Sequence, residues 1–235
     1  LFSAFLTFVA SWWIRKLAVR FRVLDRVGRE ERKIHTRVTP LLGGVGIGLA
    51  ILTSILLAQI FHFLPSEGPL AIRLTGFCVA IFILLVGGVL DDAYDLPPWV
   101  QFFSPFAASL VVMATGTSIL EVSHWRGSGV LHLDAWQWSW SWFGYLLSFT
   151  FPADVLTLGW LLGVTYATKA MDGLDSLVTG HTMVGVGLIL LLASSPLFFQ
   201  APIVVLAWII LGAFGGFLPW NIHPARQFLG EGGST

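Results

Sequence analysis

Residues 70–98 read LAIRLTGFCVAIFILLVGGVLDDAYDLPP, and this stretch decides the fold class. Its apolar part runs from Leu70 to Leu90. A helix needs about 20 largely apolar residues to cross the hydrocarbon core of a bilayer. Asp91 and Asp92 follow at once, and adjacent carboxylates at a membrane edge need a cation or a hydrogen-bonding partner. The stretch therefore predicts a transmembrane helix that ends in a charged site, with a solvated helix cap as the alternative.

The composition of the whole chain agrees with a membrane protein. Of its 235 residues, 56% are hydrophobic and only 11% are charged, whereas about 25% are charged in a soluble domain. The formal net charge is zero and no basic, aromatic-interleaved stripe is present, so we expect no nucleic-acid partner. The single cysteine, Cys78, lies in the apolar run and cannot form an internal disulfide.

The apolar stretches predict about seven membrane spans and hence an all-α polytopic membrane protein. The chain opens at Leu1 in apolar sequence and stops at Thr235 after a glycine-rich segment, so we interpret it as a fragment whose C-terminal spans are missing. The predicted spans are the opening run to Ile14, Gly43 to Leu64, Leu70 to Leu90, Trp99 to Ser118, Phe149 to Thr168, Leu177 to Ser194 and Ala201 to Leu218.

The distribution of basic residues predicts the orientation in the membrane. Nine of the thirteen lysines and arginines lie between Arg15 and Arg37. Because positive residues are retained on the cytoplasmic side, we place this loop inside the cell. Alternation of seven spans then places residues 91–98, 169–176 and 219–235 inside as well, and residues 119–148 outside.

The outer loop contains tryptophan at every second position of 136–142, which places these side chains on one face of an extended strand. Residues 126–129 read RGSG and supply a turn, so we predict that Leu120 to Trp125 pairs with Val130 to Trp142 in a β-hairpin. Tryptophan favours the membrane interface. We therefore expect these tryptophans to lie at the membrane interface; the functional alternative is a platform on which sugars stack.

Four segments on the predicted cytoplasmic side contain charged residues that membrane folding alone does not require. Carboxylates suit a hard metal ion, and lysine, arginine and histidine suit phosphates, so their conjunction on one face predicts a phosphoryl-transfer site. The segments are residues 32–44 with Lys33, His35 and Arg37 before a proline and two glycines; residues 91–98 with the paired aspartates; residues 166–175 with Lys169, Asp172 and Asp175; and the glycine-rich residues 223–234 with Glu231.

Each segment also has a plainer interpretation. The basic loop could serve only as a positive-inside anchor. Lys169, Asp172 and Asp175 are spaced by three residues, which predicts one helical face and would equally suit a salt-bridge ladder. The glycine run allows backbone amides to approach a phosphate closely, but it would be weak evidence by itself.

In their residues and in their order along the chain, these motifs resemble the polyprenyl-phosphate N-acetylhexosamine-1-phosphate transferases, which are of the glycosyltransferase family 4 type. That family carries Lys-x-His-x-x-x-x-Pro-x-x-Gly-Gly, matched from Lys33 through Gly44, and an Asp-Asp pair, matched by Asp91 and Asp92. Its Asn-x-x-Asn-x-x-Asp-Gly-x-Asp-Gly and Phe-Met-Gly-Asp-x-Gly-Ser segments are matched in part by residues 166–176 and 228–234. Asp95 to Pro97 and Phe228 to Gly230 look more like the branch that uses UDP-N-acetylglucosamine and related sugars than the peptidoglycan MurNAc-pentapeptide branch.

The resemblance implies one transmembrane catalytic-type domain over residues 1–235. It would transfer N-acetylhexosamine 1-phosphate from a UDP-sugar to undecaprenyl or another polyprenyl phosphate and release UMP, the initiating step of a cell-envelope polysaccharide. The implied cofactor is Mg²⁺ or Mn²⁺, and the implied location is a bacterial inner membrane with the active face cytoplasmic. A homodimer is left open. The implied roles are catalytic for Asp91, Asp92, Asp172 and Asp175; substrate-binding for Lys33, His35, Arg37, Lys169, Gly230 and Gly232; and metal-binding for Asp92, Asp172 and Glu231.

The chain also departs from the family pattern at positions close to the expected site. Three alternatives therefore stay open: the phospho-N-acetylmuramoyl-pentapeptide transferase branch of peptidoglycan synthesis, a catalytically inactive homologue that binds carrier lipid or serves as an assembly partner, and an unrelated transporter. The departures are Tyr166 and Lys169 in place of two asparagines, Ser176 in place of a glycine, Glu231 in place of an aspartate, and Trp99 and Gln101 where the family often has lysine.

Overall fold

A computed structural model describes residues 1–21, 23–25, 39–124, 127, 129–142 and 145–235, without the side chains of residue 25, residues 140–142 and residues 145–148. The described chain is mainly helical, with three short strand pairs. In chain order the helices are α1 (Phe2–Phe21), α2 (Gly43–Ile60), α3 (Gly68–Tyr94), α4 (Pro98–Gln101), α5 (Phe103–Ala114), α6 (Ala153–Met171), α7 (Leu177–Ser194), α8 (Ala201–Asn221) and α9 (Glu231–Ser234).

Five of the described helices are long and apolar enough to cross a membrane, namely α1, α2, α3, α7 and α8. They confirm the predicted class, an all-α multi-pass membrane protein. The other two predicted spans differ. The stretch expected to run from Trp99 to Ser118 is broken at Phe102 into α4 and α5. Pro105 has no N–H to donate to the carbonyl of Gln101, so a continuous helix loses a hydrogen bond there.

The span expected from Phe149 to Thr168 also has different limits. Its first residues belong to a strand, and α6 begins at Ala153, directly after Pro152, and extends to Met171. With 19 residues this helix is long enough to cross a bilayer, but it is less apolar than the five others.

The helices pack through small residues, as is usual for membrane helices. Gly212 and Gly216 of α8 lie directly against Ser3 and Ala4 of α1, and a side chain on either glycine would overlap α1. The buried core between α2 and α8 contains mainly isoleucine and phenylalanine. Its fully buried members include Ile55 and Phe217.

The strands are β1 (Leu24–Asp25), β2 (Thr39–Pro40), β3 (Glu121–Ser123), β4 (Val130–His132), β5 (Trp136–Trp142) and β6 (Tyr145–Phe151). They pair antiparallel as β1–β2, β3–β4 and β5–β6. The predicted hairpin is thus right for β3 and β4 but wrong for the tryptophan strand. That strand pairs with β6, whose sequence YLLSFTF is rich in aromatic and apolar residues that suit a strand.

The start of α6 is fixed to the strand region by a buried carboxylate. Asp154 is 4% exposed, and it accepts hydrogen bonds from the Ser118 hydroxyl at 2.5 Å and the Thr150 amide at 2.7 Å. The Thr157 hydroxyl one turn later accepts the Ile119 amide at 2.8 Å. Since Lys169 lies at the other end of α6, the strand pair β5–β6 and the predicted site lie at opposite ends of this helix.

Candidate active site

The candidate site is organised by residues 228–235, which we call the site segment. Backbone hydrogen bonds join it to the start of α2: the Gly43 amide donates to the Phe228 carbonyl at 3.0 Å, and the Gly44 amide to the Leu229 carbonyl at 2.7 Å. The Glu231 amide donates to Asp92 Oδ1 of α3 at 3.0 Å. The segment therefore joins the start of α2 to the end of α3.

Glycines allow this close approach. A Cβ on Gly44 would overlap the backbone of Gly233, and a Cβ on Gly88 would overlap the backbone of Gly232. The paired glycines predicted at the end of the basic motif are therefore needed for backbone packing. Gly230 has φ +71°, and a side chain there would overlap the Asp92 carboxylate.

Lys169 is paired with Glu231. Lys169 Nζ lies 2.6 Å from Glu231 Oε2, an ion pair whose angles do not make a hydrogen bond. The same ammonium donates to Gln101 Oε1 at 3.4 Å, and Gln101 Nε2 donates to Asp91 Oδ1 at 3.0 Å. A continuous polar network thus joins α3, α4, α6 and the site segment. Gln101, which the sequence analysis noted only as a departure, links Asp91 to Lys169.

The network surrounds a cavity of about 10 Å³, lined by Gly87, Gly88, Asp91, Gln101, Lys169 and Glu231 among others. A cavity of this size holds about one water molecule. A nucleotide sugar is far larger, so this cavity cannot hold one.

Four carboxylates converge here. The Asp92 carboxylate interacts electrostatically with those of Asp91, Asp172 and Glu231. The Asp172 residue is exposed overall, but neighbouring protein atoms desolvate its carboxyl group. This desolvation and the Glu231 carboxylate raise the pKa of Asp172 to about 6, although a hydrogen bond with the Ser234 hydroxyl lowers it. A bound cation would favour the ionised form of such a group.

Mg²⁺ commonly binds proteins through one or two carboxylates together with substrate phosphates. Asp92 and Asp172 fit that role, because their carboxylates interact with each other and carry no ion pair among the described residues. Glu231, the third predicted metal ligand, is held by Lys169. Within the described ranges no group of three His, Cys, Asp or Glu side chains is placed to hold a metal ion by itself. The carboxylates of Asp92 and Asp172 therefore fit a metal ion that is also coordinated by a substrate phosphate.

Asp175 lies apart from this cluster. The prediction that Lys169, Asp172 and Asp175 share one helical face is wrong, because α6 ends at Met171 and the two aspartates follow in turns. Asp175 Oδ2 lies 2.8 Å from His223 Nδ1 and accepts the Ala225 amide at 3.1 Å. Asp175 thus holds the loop between α8 and the site segment, and nothing in these contacts gives it a metal-binding role.

Asn221 is a structural residue of the site that the sequence analysis missed. It is 4% exposed, and its Oδ1 accepts the Ser176 amide at 3.0 Å and the Thr179 hydroxyl at 2.8 Å, while its Nδ2 donates to the Gln227 carbonyl at 3.2 Å. It ties the start of α7 to the chain entering the site segment. Its only signal in the sequence is a polar residue that ends a long apolar run.

The conformation of Ser176 explains why the family pattern has a glycine there. Ser176 has φ +59°, in the left-handed region that side chains disfavour by roughly 1–2 kcal/mol. Ser176→Gly should raise the thermal unfolding midpoint in detergent, because this strain exceeds the extra unfolded-state freedom of glycine, about 0.4–1 kcal/mol. Ser176→Val should lower the midpoint. Ser176→Ala keeps the Cβ but not the hydroxyl and serves as control; a fall in the midpoint with Ala equal to that with Val would assign the effect to the hydroxyl.

The predicted phosphate-binding residues Lys33, His35 and Arg37 lie outside the described residues. The described end of the same motif does reach the site: the Phe228 amide donates to the Pro40 carbonyl at 2.9 Å. Of the two glycines predicted to bind substrate, Gly230 faces Asp92 and Gly232 packs on Gly88. Their contribution to substrate binding stays a prediction.

These features define a multi-pass membrane protein with a carboxylate-rich site at the ends of its helices. The sequence pattern of glycosyl transferase family 4 matches residues 74–235, and the chain belongs to that family.

Three relatives illustrate the similarity. The chain is 27% identical over 221 residues to a probable undecaprenyl-phosphate N-acetylglucosaminyl 1-phosphate transferase of Bacillus subtilis (strain 168), covering 94% of this chain and 54% of the relative. It is 28% identical over 242 residues to the decaprenyl-phosphate N-acetylglucosaminephosphotransferase of Mycolicibacterium smegmatis, covering 99% and 55%. It is 24% identical over 243 residues to a phospho-N-acetylmuramoyl-pentapeptide-transferase of Streptococcus pyogenes serotype M3, covering 100% and 68%. The chain thus spans about half the length of the first two relatives.

Proposed function

We propose that the protein transfers N-acetylhexosamine 1-phosphate from a UDP-sugar to undecaprenyl phosphate or a related polyprenyl phosphate, with release of UMP. The observation that carries the proposal is the docking of the site segment onto Asp92 and Lys169, which gathers carboxylates and a cation at the ends of membrane helices. The names of the relatives from Bacillus and Mycolicibacterium support the same kind of reaction.

The location of the site suits two substrates of different solubility. A polyprenyl phosphate keeps its chain in the bilayer and presents its phosphate at the membrane surface, and a nucleotide sugar reaches the same surface from water. The count of lysines and arginines supports a cytoplasmic face, and the bacterial relatives support an inner-membrane location. A homodimer stays an open proposal.

The reaction forms a bond between an oxygen of the lipid phosphate and the β-phosphorus of the UDP-sugar, and it breaks the bond between that phosphorus and UMP. Asp92 and Asp172 would hold Mg²⁺, or Mn²⁺ in its place, and the chemistry this ion supplies is neutralisation of the diphosphate and of the leaving UMP. Asp91 accepts both the Leu96 amide and the Gln101 side chain at 3.0 Å, so it positions Gln101 and, through it, Lys169. The Lys169 ammonium would attract a phosphate.

One alternative rests on the ion pair. Because Lys169 already neutralises Glu231, it could have replaced a metal in a homologue that binds carrier lipid without catalysis. A second alternative is the muramoyl-pentapeptide transferase reaction, which the Streptococcus relative supports.

The full-length protein should release UMP from a UDP-N-acetylhexosamine only when undecaprenyl phosphate and Mg²⁺ are both present. The physical reason is that the diphosphate and the lipid phosphate carry charges that the carboxylate-rich site cannot neutralise without a divalent cation. UMP is measured after purification in detergent, with omission of the lipid and addition of EDTA as controls. UDP-MurNAc-pentapeptide as the preferred donor would favour the peptidoglycan branch, and no release from either donor would contradict the proposal.

Lys169 and Glu231 should be coupled in their effects on metal affinity. Lys169→Asn should raise the apparent Mg²⁺ affinity, because a positive charge close to the metal is removed; two unit charges about 4 Å apart interact by about 4 kcal/mol at an effective dielectric of about 20. Glu231→Asp should lower the affinity, because the shorter side chain pairs less closely with Lys169 and leaves more of its positive charge beside the metal. The double variant should depart from additivity, as contacting residues do.

The measurement is Mg²⁺ titration of UMP release together with direct Mn²⁺ binding. Lys16→Asn, on the exposed side of α1 and beside Trp12, is the matched control and should leave both unchanged. The active-enzyme proposal would be rejected if the parent protein showed no metal dependence and the Lys169→Asn variant gained it. That result would favour the repurposed homologue.

A further inference from the structure

The strand pair β5–β6, which we call the aromatic ribbon, carries an exposed aromatic face that the proposed function does not use. The register pairs Trp136 with Phe151 and Trp138 with Phe149. Both ring pairs stack, with centroids 5.7 Å and 6.1 Å apart and interplanar angles of 13° and 20°. The two tryptophans nevertheless stay 60% and 56% exposed. Cross-strand stacking therefore presents four aromatic rings together on one face.

The opposite face of the aromatic ribbon is polar. Gln137 is paired with Thr150, and Ser139 follows two residues later on the same face. The Thr150 amide donates to Asp154, which attaches this end of the ribbon to α6. Residues 136–151 contain no charged side chain and no histidine. The ribbon is thus amphipathic without being charged, and its aromatic face can leave water without burying an ion.

An isolated two-stranded ribbon has no interior of its own and is marginal in water. Its surroundings indicate what covers the aromatic face. The first turns of α6, directly after the ribbon, expose Val155, Leu156 and Trp160, as expected for a helix surface that faces lipid. Asp154 fixes the ribbon at this end of α6, remote from Lys169 in the last turn of the helix.

We propose that the aromatic ribbon lies in the headgroup region of the leaflet remote from the candidate site, with Trp136 and Trp138 inserted at the boundary with the acyl chains. Tryptophan combines a large apolar ring with one N–H donor, and this combination favours the membrane interface. A carbohydrate site would be expected to add charged or amide groups beside the rings, whereas the aromatic face carries none among its described side chains.

The position has a consequence for α6. This helix has 19 residues and is therefore about 28 Å long. Anchoring of the aromatic ribbon in one leaflet fixes the depth of Ala153, and the rigid helix then fixes the depth of Lys169 at the other surface. The ribbon would thus set the height at which Lys169 meets a phosphate at the membrane face.

The test measures membrane depth with spin labels on the full chain. In a Cys78→Ala background, labels are placed by Trp138→Cys on the aromatic face and by Ser139→Cys on the polar face. The protein is reconstituted in vesicles of phosphatidylethanolamine and phosphatidylglycerol. We expect the ratio of oxygen to nickel-chelate accessibility to be severalfold higher at position 138 than at position 139, because oxygen concentrates in lipid and the chelate stays in water.

Two outcomes would overturn the proposal. Equal and high nickel-chelate accessibility at both positions would place the aromatic ribbon in water, as for a sugar-binding platform. A label at 138 that neither reagent reaches would show that protein, from the same chain or a second copy, covers the face. If Trp138→Cys does not fold, Trp136→Cys with Gln137→Cys provides the same comparison of adjacent residues on opposite faces.

Discussion

Asp92→Asn should lower turnover about 10²–10³-fold, the range seen when one preorganised electrostatic group is removed from an active site. Asparagine keeps the size of aspartate and the oxygen that accepts the Glu231 amide, so the docking of the site segment should persist. The negative charge that would hold the metal is lost. We therefore expect kcat to fall much more than the KM for the UDP-sugar changes.

The thermal unfolding midpoint separates this effect from misfolding. It should not fall for Asp92→Asn, since the substitution removes repulsion from Asp91, Asp172 and Glu231. Asp134→Asn, at an exposed aspartate between β4 and β5, is the matched control and should keep full turnover. Unchanged turnover in Asp92→Asn would remove Asp92 from the site.

Gly88→Ala should abolish activity by displacing the site segment. The added methyl would overlap the backbone of Gly232, and backbone cannot rotate away as the end of a side chain can. Overpacking of this kind typically costs about 1–3 kcal/mol, so the unfolding midpoint should fall as well. Displacement would also break the contacts of Glu231 with Asp92 and Lys169.

Gly159→Ala is the matched control for this substitution. It makes the same chemical change in the middle of α6, where, apart from the backbone of the helix itself, a Cβ would have no heavy atom of the described residues within 4 Å. Alanine is about 1 kcal/mol more favourable than glycine in a helix, so activity should persist and the midpoint should not fall. If Gly88→Ala and Gly159→Ala lost activity equally, the cause would be the loss of glycine flexibility and not the close approach of two backbones.

The sequence predicted the membrane helices well because hydropathy acts over a whole helix. Most of its errors arose where a local signal determines a boundary. The break at Phe102 follows from Pro105, and the end of α6 at Met171 is consistent with Gly173 two residues later, since glycine commonly follows a helix end. Both signals are present in the sequence. Given the correct end of α6, Asp172 and Asp175 would not have been placed on one helical face.

The meeting of distant segments was predicted from topology, but the individual contacts could not be. Lys169 and Glu231, both noted as departures from the family pattern, form an ion pair at 2.6 Å. The contact between Gln101 and Lys169 joins residues 68 positions apart, and the three hydrogen bonds of Asn221 depend on how α7 and α8 pack. No sequence period or spacing specifies such pairs.

The position of the site segment between two glycines has a consequence for biosynthesis. Gly44 of α2 and Gly88 of α3 contact Gly233 and Gly232 from opposite sides, so residues 232–233 form a wedge between two helices made much earlier. During translation α2 and α3 enter the membrane before this wedge exists. The contacts of Gly44 and Gly88 with residues 232–233 therefore form only after α8 has been made, so Asp92 and Glu231 come together late in biosynthesis.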